Sequence, residues 1–281
     1  LAKTGAVVAM TGDEVNDAPA LKVSDVGAAM GITGTDVAQS AADMILTDDN
    51  FATIVDAVAR GRTVYRNIRK AINFLLSCNI SEIFIVLIAM LLGWGAPFTA
   101  VQLLFVNVVA DGLPGFALGR EPAEAGIMEE ASIPREESIL GRGLWQKILV
   151  NAVSFTVVAL LGFYLGSFVD GISHWVTASQ EVGQTVAFLV LAYSSILHVF
   201  NVRSSRSIFK VNLGRNKSLF EMALLAIFIT TVIALLPVTQ TLFGLVIISL
   251  NHWLLVIGLS IVPIFVNELI KFRFSPELEE E

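Results

Sequence analysis

The chain has 281 residues, of which 55% are hydrophobic and 15% charged, with a mean hydropathy of +0.74 and a formal net charge of −7. A single soluble domain of this length would carry about 25% charge, and the apolar residues here fall in blocks of roughly 20, the length that crosses a bilayer as a helix. One cysteine, Cys78, excludes an internal disulfide framework.

The sequence opens on Leu1 in mid-pattern, without the basic start and short apolar core of a signal peptide, and reads as a piece of a longer chain. Residues 1–50 read as the end of a soluble α/β domain. Residues 6–10 are a short apolar run suited to a buried strand, and Thr11, Gly12 and Asp13 follow as a turn. Residues 18–22 read as a helix, 26–30 as a buried strand, 36–43 as a helix and 44–46 as a third strand. Such alternation predicts a mainly parallel sheet with polar loops at the strand ends.

A charged amphipathic helix is predicted over 51–70, carrying Arg60, Arg62, Arg66, Arg69 and Lys70. It runs without a breaker into the apolar stretch 71–92, so one long helix is expected to start in the cytoplasm and enter the membrane. Five more spans are predicted near 98–118, 144–168, 183–202, 219–237 and 247–270. The connection 119–143 holds Arg120, Arg135 and Arg142. The connection 203–217 holds Arg203, Arg206, Lys210, Arg215 and Lys217, and the tail holds Lys271 and Arg273. The alternate connections 93–97, 169–182 and 238–246 hold neither Lys nor Arg. That alternation is the positive-inside pattern for six spans with both ends cytoplasmic. The predicted architecture is a polytopic α-helical membrane protein, with the membrane domain over 71–281 and a stalk over 51–70.

Two places carry chemistry. The loop Asp13-Glu14-Val15-Asn16-Asp17 sets carboxylates and an amide straight after a strand, where a carboxylate can serve Mg²⁺, which takes oxygen ligands alongside water and phosphate. A capped turn is the competing reading, since Asp and Asn favour helix starts. In the spans, Asn79 and Glu82 are three apart on one helix face, and Asn107 and Asp111 four apart on the next. An ionisable residue inside a membrane costs about 2.5–3.5 kcal/mol even on insertion scales, which makes both acids functional candidates. Two acids and two amide oxygens suit a hard cation. Gly112-Leu113-Pro114-Gly115 is expected to unwind the helix beside them. The competing reading is that Glu82 and Asp111 bond neighbouring helices. Glu221, Asn267 and Glu268 lie near span ends and are expected to be solvated there.

The string from Thr11 to Lys22 resembles the hinge motif of P-type ATPases, whose phosphorylation domain has the haloacid-dehalogenase fold. Residues 24–31 and 42–51 resemble the same family. Asn79 with Glu82, and Val106 to Pro114 after Gln102-Leu103-Leu104, resemble the fifth and sixth spans of the calcium-transporting members. The resemblance is strongest over 5–128. It implies Mg²⁺ on Asp13, phosphoryl contact by Asn16 and loop geometry held by Asp17, with Thr11 and Gly12 completing the catalytic loop. It implies a transported cation on Asn79, Glu82, Asn107 and Asp111.

Three positions depart from the family pattern. Glu14 stands where Gly is usual and is expected to face solvent. Ala110 replaces a Thr ligand of the two-site calcium pumps, and Ser195, a weak ligand candidate, stands where they carry a Glu. The site built from Asn79, Glu82 and Asp111 is therefore expected to be impoverished. One calcium site, formed by Asn107 and Asp111 with residues of an absent fourth span, is expected instead of two, with Glu82 serving a counter-transported proton. The implied function is ATP-driven Ca²⁺ export with proton counter-transport, using Mg²⁺ and ATP. The phosphorylated Asp and the ATP-binding parts belong to an N-terminal remainder outside this chain, so the chain alone is expected to be inactive. The bilayer is the expected partner and nucleic acid is not. A bacterial plasma membrane is the expected location. A pump for Na⁺, K⁺ or Mn²⁺, or a secondary transporter with a fused regulatory domain, are the alternatives. Transition-metal transport, which His174 and His198 bring to mind, fits oxygen ligands poorly.

Overall fold

The computed structural model describes residues 7–274 except 125, 132, 135, 173–174, 205–206 and 209–212. Ala6, Arg135, His174, Arg206, Lys210, the side chain of Arg273 and the acidic tail lie outside the described residues. The chain divides into two compact units, residues 1–66 with 123–141, and residues 67–122 with 142–281.

In the first unit, β1 (Ala9–Gly12), β2 (Val26–Met30) and β3 (Met44–Leu46) form a parallel sheet in the order β1-β2-β3. Ala9 pairs with Val26 and Ala28 with Met44. Helices α1 (Ala18–Val23) and α2 (Asp36–Ala41) supply Leu21 and Ala38, which bury against Ala29 of β2. The elements fall where alternation places them, but β1 starts later and runs through Gly12. The turn expected at 11–13 is thus the end of a strand, and the chain reverses through a 3-10 turn at Val15–Asp17.

Carboxylates pin the strand ends. Asp43 Oδ2 accepts from Gly27 N at 2.9 Å and Asp25 Oδ2 from Val8 N at 3.0 Å. Asp49 accepts from the backbone N–H groups of Gly31, Ile32 and Thr33 at 2.6, 2.9 and 2.8 Å, and from the Thr33 hydroxyl at 2.9 Å. Those donors, led by Ile32, favour the charged form and hold its carboxyl below the usual carboxylate range.

Helix α3 (Phe51–Leu91) is one 41-residue helix, about 60 Å long at 1.5 Å per residue. Its first part binds the segment after residue 122. Arg62 Nη1 donates to the carbonyls of Ile127 and Glu130 at 2.9 and 2.8 Å, and Arg66 pairs with Glu124 and Glu130.

Six helices are long and apolar enough to span a membrane: α3, Ala100–Leu118, α6 (Leu144–Phe168), α7 (Gln180–Val202), α8 (Lys217–Leu235) and Leu250–Lys271, the main part of α10 (Leu250–Phe274). The predicted spans coincide with them to within about three residues in the second unit. A short helix, α9 (Pro237–Phe243), occupies a connection expected to be a loop. The most apolar window of α7 is 89% buried, against 17% for Leu250–Lys271. Enclosed nearly all round, α7 is the core of the second unit. It packs antiparallel on α6, with Gly166 against Gly183 at one end and Phe155 against His198 at the other. Small residues at such contacts let membrane helices approach closely.

The span Ala100–Leu118 is not a uniform helix. It is α4 (Ala100–Phe105), a π-helical stretch (Val106–Asp111), and α5 (Gly112–Leu118). Unwinding was expected at 112–115, yet those residues are α-helical and the irregularity lies one turn earlier. Pro114 has no N–H and its ring crowds the carbonyl four residues back, that of Ala110. A wider turn before the proline relieves both, and such π stretches recur at functional sites.

Candidate functional site

The loop after β1 is organised by Asp17. Its Oδ2 accepts from the backbone N–H groups of Asp13 and Glu14, both at 3.1 Å. Thr35 closes the other side, donating to the Asp13 carbonyl from its N–H at 2.9 Å and its hydroxyl at 3.2 Å. The side chains of Asp13, Glu14 and Asn16 are exposed. Neither the Asp13 carboxylate nor the Asn16 amide has a hydrogen bond among the described residues. A fixed backbone with one open carboxylate fits Mg²⁺, which keeps several waters and takes one or two protein carboxylates. Glu14 is exposed to solvent.

In the membrane unit, Glu82 of α3 and Asp111 at the end of the π stretch are both buried, Asp111 completely. Asn107 Nδ2 donates to Glu82 Oε2 at 2.8 Å and to the Leu103 carbonyl at 2.9 Å. Ser195 of α7 donates to Asp111 Oδ1, and its hydroxyl lies 2.9 Å from Cys78 Sγ. One oxygen of each acid, Glu82 Oε1 and Asp111 Oδ2, is buried without a hydrogen-bond partner among the described residues. Leaving a buried carboxylate oxygen unpaired is costly, and a bound cation offsets that cost.

Of the residues singled out from the sequence, the structure joins Glu82 to Asn107, and Asp111 to Ser195. Asn79 stands apart. It is half-buried and donates to the Leu75 carbonyl of its own helix at 2.8 Å, with no hydrogen bond to the acids or to Asn107 among the described residues. Cys78 is a member that sequence reasoning used for redox state alone. Its place four residues before Glu82, on the same helix face, was the available signal.

A second buried network was not foreseen. Arg203, 2% exposed, donates from Nη2 and Nε to Glu121 Oε1 at 2.7 and 3.1 Å. Asn216 donates to Glu121 Oε2 at 2.8 Å, and Asn67 to the Glu121 carbonyl at 2.8 Å. Arg203 sits at a loop end that reads as positive-inside charge, and the sequence carries no signal that it pairs with Glu121. Glu268 departs from its expected solvation. It is 12% exposed and pairs with Lys271 at 3.2 Å.

Residues 95–273 match a protein family described as cation transporting ATPase, C-terminus. The chain is 43% identical over 277 residues to calcium-transporting ATPase 1 of Bacillus cereus, covering 95% of this chain and 31% of that protein. It is 41% identical over 263 residues to a calcium-transporting ATPase of Bacillus subtilis, covering 94% and 29%. An endoplasmic reticulum calcium ATPase of Aspergillus fumigatus is 37% identical over 298 residues, covering 97% and 30%. The chain spans about 30% of the length of these relatives. With six apolar membrane-length helices and a match across more than half of its residues, the chain is an integral membrane protein that belongs to the cation-transporting ATPase family.

Proposed function

We propose that the chain works within an ATP-driven pump that exports Ca²⁺, and that Glu82, Asn107 and Asp111 hold the ion. The observation that carries this reading is the pair of unpartnered carboxylate oxygens, Glu82 Oε1 and Asp111 Oδ2, buried on adjacent spans beside a π-helical stretch. Interhelical hydrogen bonding alone would use one oxygen of each acid and leave those two without a role. Carboxylate and amide oxygens suit Ca²⁺, a hard cation with six to eight oxygen ligands. The names of the relatives support calcium over other cations.

Residues 1–50 are proposed to end a phosphorylation domain of haloacid-dehalogenase type, supported by the parallel sheet and the polar loop at the end of β1. Residues 51–70 would be its stalk and 71–281 the membrane domain. Asp13 would hold Mg²⁺, Asn16 would contact the phosphoryl group, and Asp17 would fix the loop through its two backbone bonds. Mg²⁺ would neutralise phosphate charge there. The acceptor Asp and the ATP site would come from an N-terminal remainder. Proton counter-transport through Glu82, a bacterial plasma membrane and cytoplasmic ends complete the proposal.

The test is ATP-dependent Ca²⁺ uptake into inverted vesicles by the intact protein. Wild type is expected to accumulate Ca²⁺, with Glu82→Gln and Asp111→Asn each losing more than about 90% of the rate, as expected when a ligand of an oxygen-cage site is removed. ATPase activity stimulated by Na⁺ but not by Ca²⁺ would refute the choice of ion.

A further inference from the structure

The inner face of α7 carries more buried polarity than the ion cluster uses. Ser194, His198 and Asn201 follow at steps of four and three, so they share one helix face. They are 1%, 1% and 2% exposed. The Ser194 hydroxyl, both ring nitrogens of His198 and both amide atoms of Asn201 are buried without a hydrogen-bond partner among the described residues. His198 is held by aromatic walls, Phe155 of α6 edge-on at 4.9 Å and Phe74 of α3 stacked at 6.0 Å. Asn151 lies one turn before Phe155 on α6. In the antiparallel α6–α7 pair that brings it level with Asn201, and it too is buried. Lys271 of α10 pairs with Glu268 at 3.2 Å. Next to Ser194, Ser195 binds Asp111, whose Oδ2 is also unpartnered.

More than 90% of buried polar groups in proteins are satisfied, and internal water is the usual partner where protein atoms are not. Five orphaned polar atoms on one face, in three successive turns, are more than packing error explains. Successive side chains on that face stand about 5–6 Å apart, a gap that one water bridges with hydrogen bonds to both sides.

We propose that this face of α7 binds a file of internal waters, running from Asn201 past His198 to Ser194 and the Asp111 cluster. The file gives the ion cluster a wet side within an otherwise apolar core. Building on the proposed ion site, it supplies and takes up the waters that an oxygen-liganded cation exchanges as it enters and leaves. A purely structural face, with His198 serving as an aromatic wedge, would stay dry.

Radiolytic hydroxyl-radical footprinting distinguishes the two, because radicals generated from bound water label the side chains beside it. His252 is the internal control. It is the same side chain at 2% exposure, but its Nδ1 is satisfied by Ser249 Oγ at 2.7 Å. In the intact protein in lipid nanodiscs, His198 is expected to oxidise at least about fivefold faster than His252, as bound water beside it requires. Asn201→Leu is expected to bring His198 labelling down toward that of His252. Ser194→Ala, a smaller change that leaves the packing in place, is expected to lower it in part. Equal labelling of His198 and His252 in the wild type would overturn the file. So would a His198 rate unmoved by both variants. These readouts need no transport, so a protein that moves a different ion still tests the file, while loss of Ca²⁺ uptake in the wild type would refute the pump reading alone.

Discussion

Gly12 has no room for a side chain. A Cβ there would meet Asp17 Cβ at 2.6 Å and Cγ at 2.9 Å, and contacts that short force one partner to move. The partner is the residue whose carboxylate fixes the backbone of Asp13 and Glu14. Gly12→Ala is therefore expected to push Asp17 out of the loop and free the Asp13 backbone. Overpacking of this kind costs about 1–3 kcal/mol, and loss of loop geometry should lower ATPase turnover of the intact protein at least about tenfold, in keeping with catalysis that depends on positioning. Normal turnover in Gly12→Ala would show that a rigid loop is not required. At this scale the residue types were legible in the sequence. Asp13, Asn16 and Asp17 stand out as a string, and so do the membrane acids. Their partners were less so. Asn79 pairs with its own helix while Cys78 and Ser195 gather at Asp111, because helical spacing gives a face but not the rotation of that face toward its neighbours.

The π stretch shows what one element does for the site. Asn107 and Asp111 lie inside Val106–Asp111, and Asn107 reaches Glu82 from there. Pro114→Ala would restore the missing N–H and remove the ring from the Ala110 carbonyl. The stretch is then expected to close into a regular α-helix, swing Asn107 away from Glu82 and weaken Ca²⁺ activation of the ATPase about tenfold, or about 1.4 kcal/mol. Unchanged Ca²⁺ dependence would separate the wide turn from ion binding. The membrane-length helices were readable from hydropathy, and Leu144–Phe168 matches its predicted bounds. Sequence signals could not place the π stretch, since Gly and Pro mark a break without saying on which side it opens. Nor did they find α9: Pro237 reads as the end of a span and Gly244 as loop, but the two instead bracket a short helix, at its first turn and its C-cap. In the soluble part, alternation located every strand, because small apolar runs between polar turns leave few other folds open.

Among the described residues, most buried polar side chains have a partner that engages them. The Arg203–Glu121 pair is clasped by Asn216 and Asn67. Most of the buried polar side-chain atoms without a hydrogen bond among the described residues lie in the membrane unit, at Glu82, Asp111 and the adjacent face of α7, with Ser167 Oγ farther along α6. Buried polarity without protein partners is expensive, so its concentration at one place marks where the proposed pump meets its ion and the water around it. On the proposed reading, Ala110 and Ser195 would leave that place with fewer oxygen ligands than a two-ion site needs. Equilibrium binding of radioactive calcium to the purified intact protein counts the ions directly. One Ca²⁺ per molecule, lost in Asp111→Asn, is the predicted result; two per molecule, or one that survives Asp111→Asn, would contradict it.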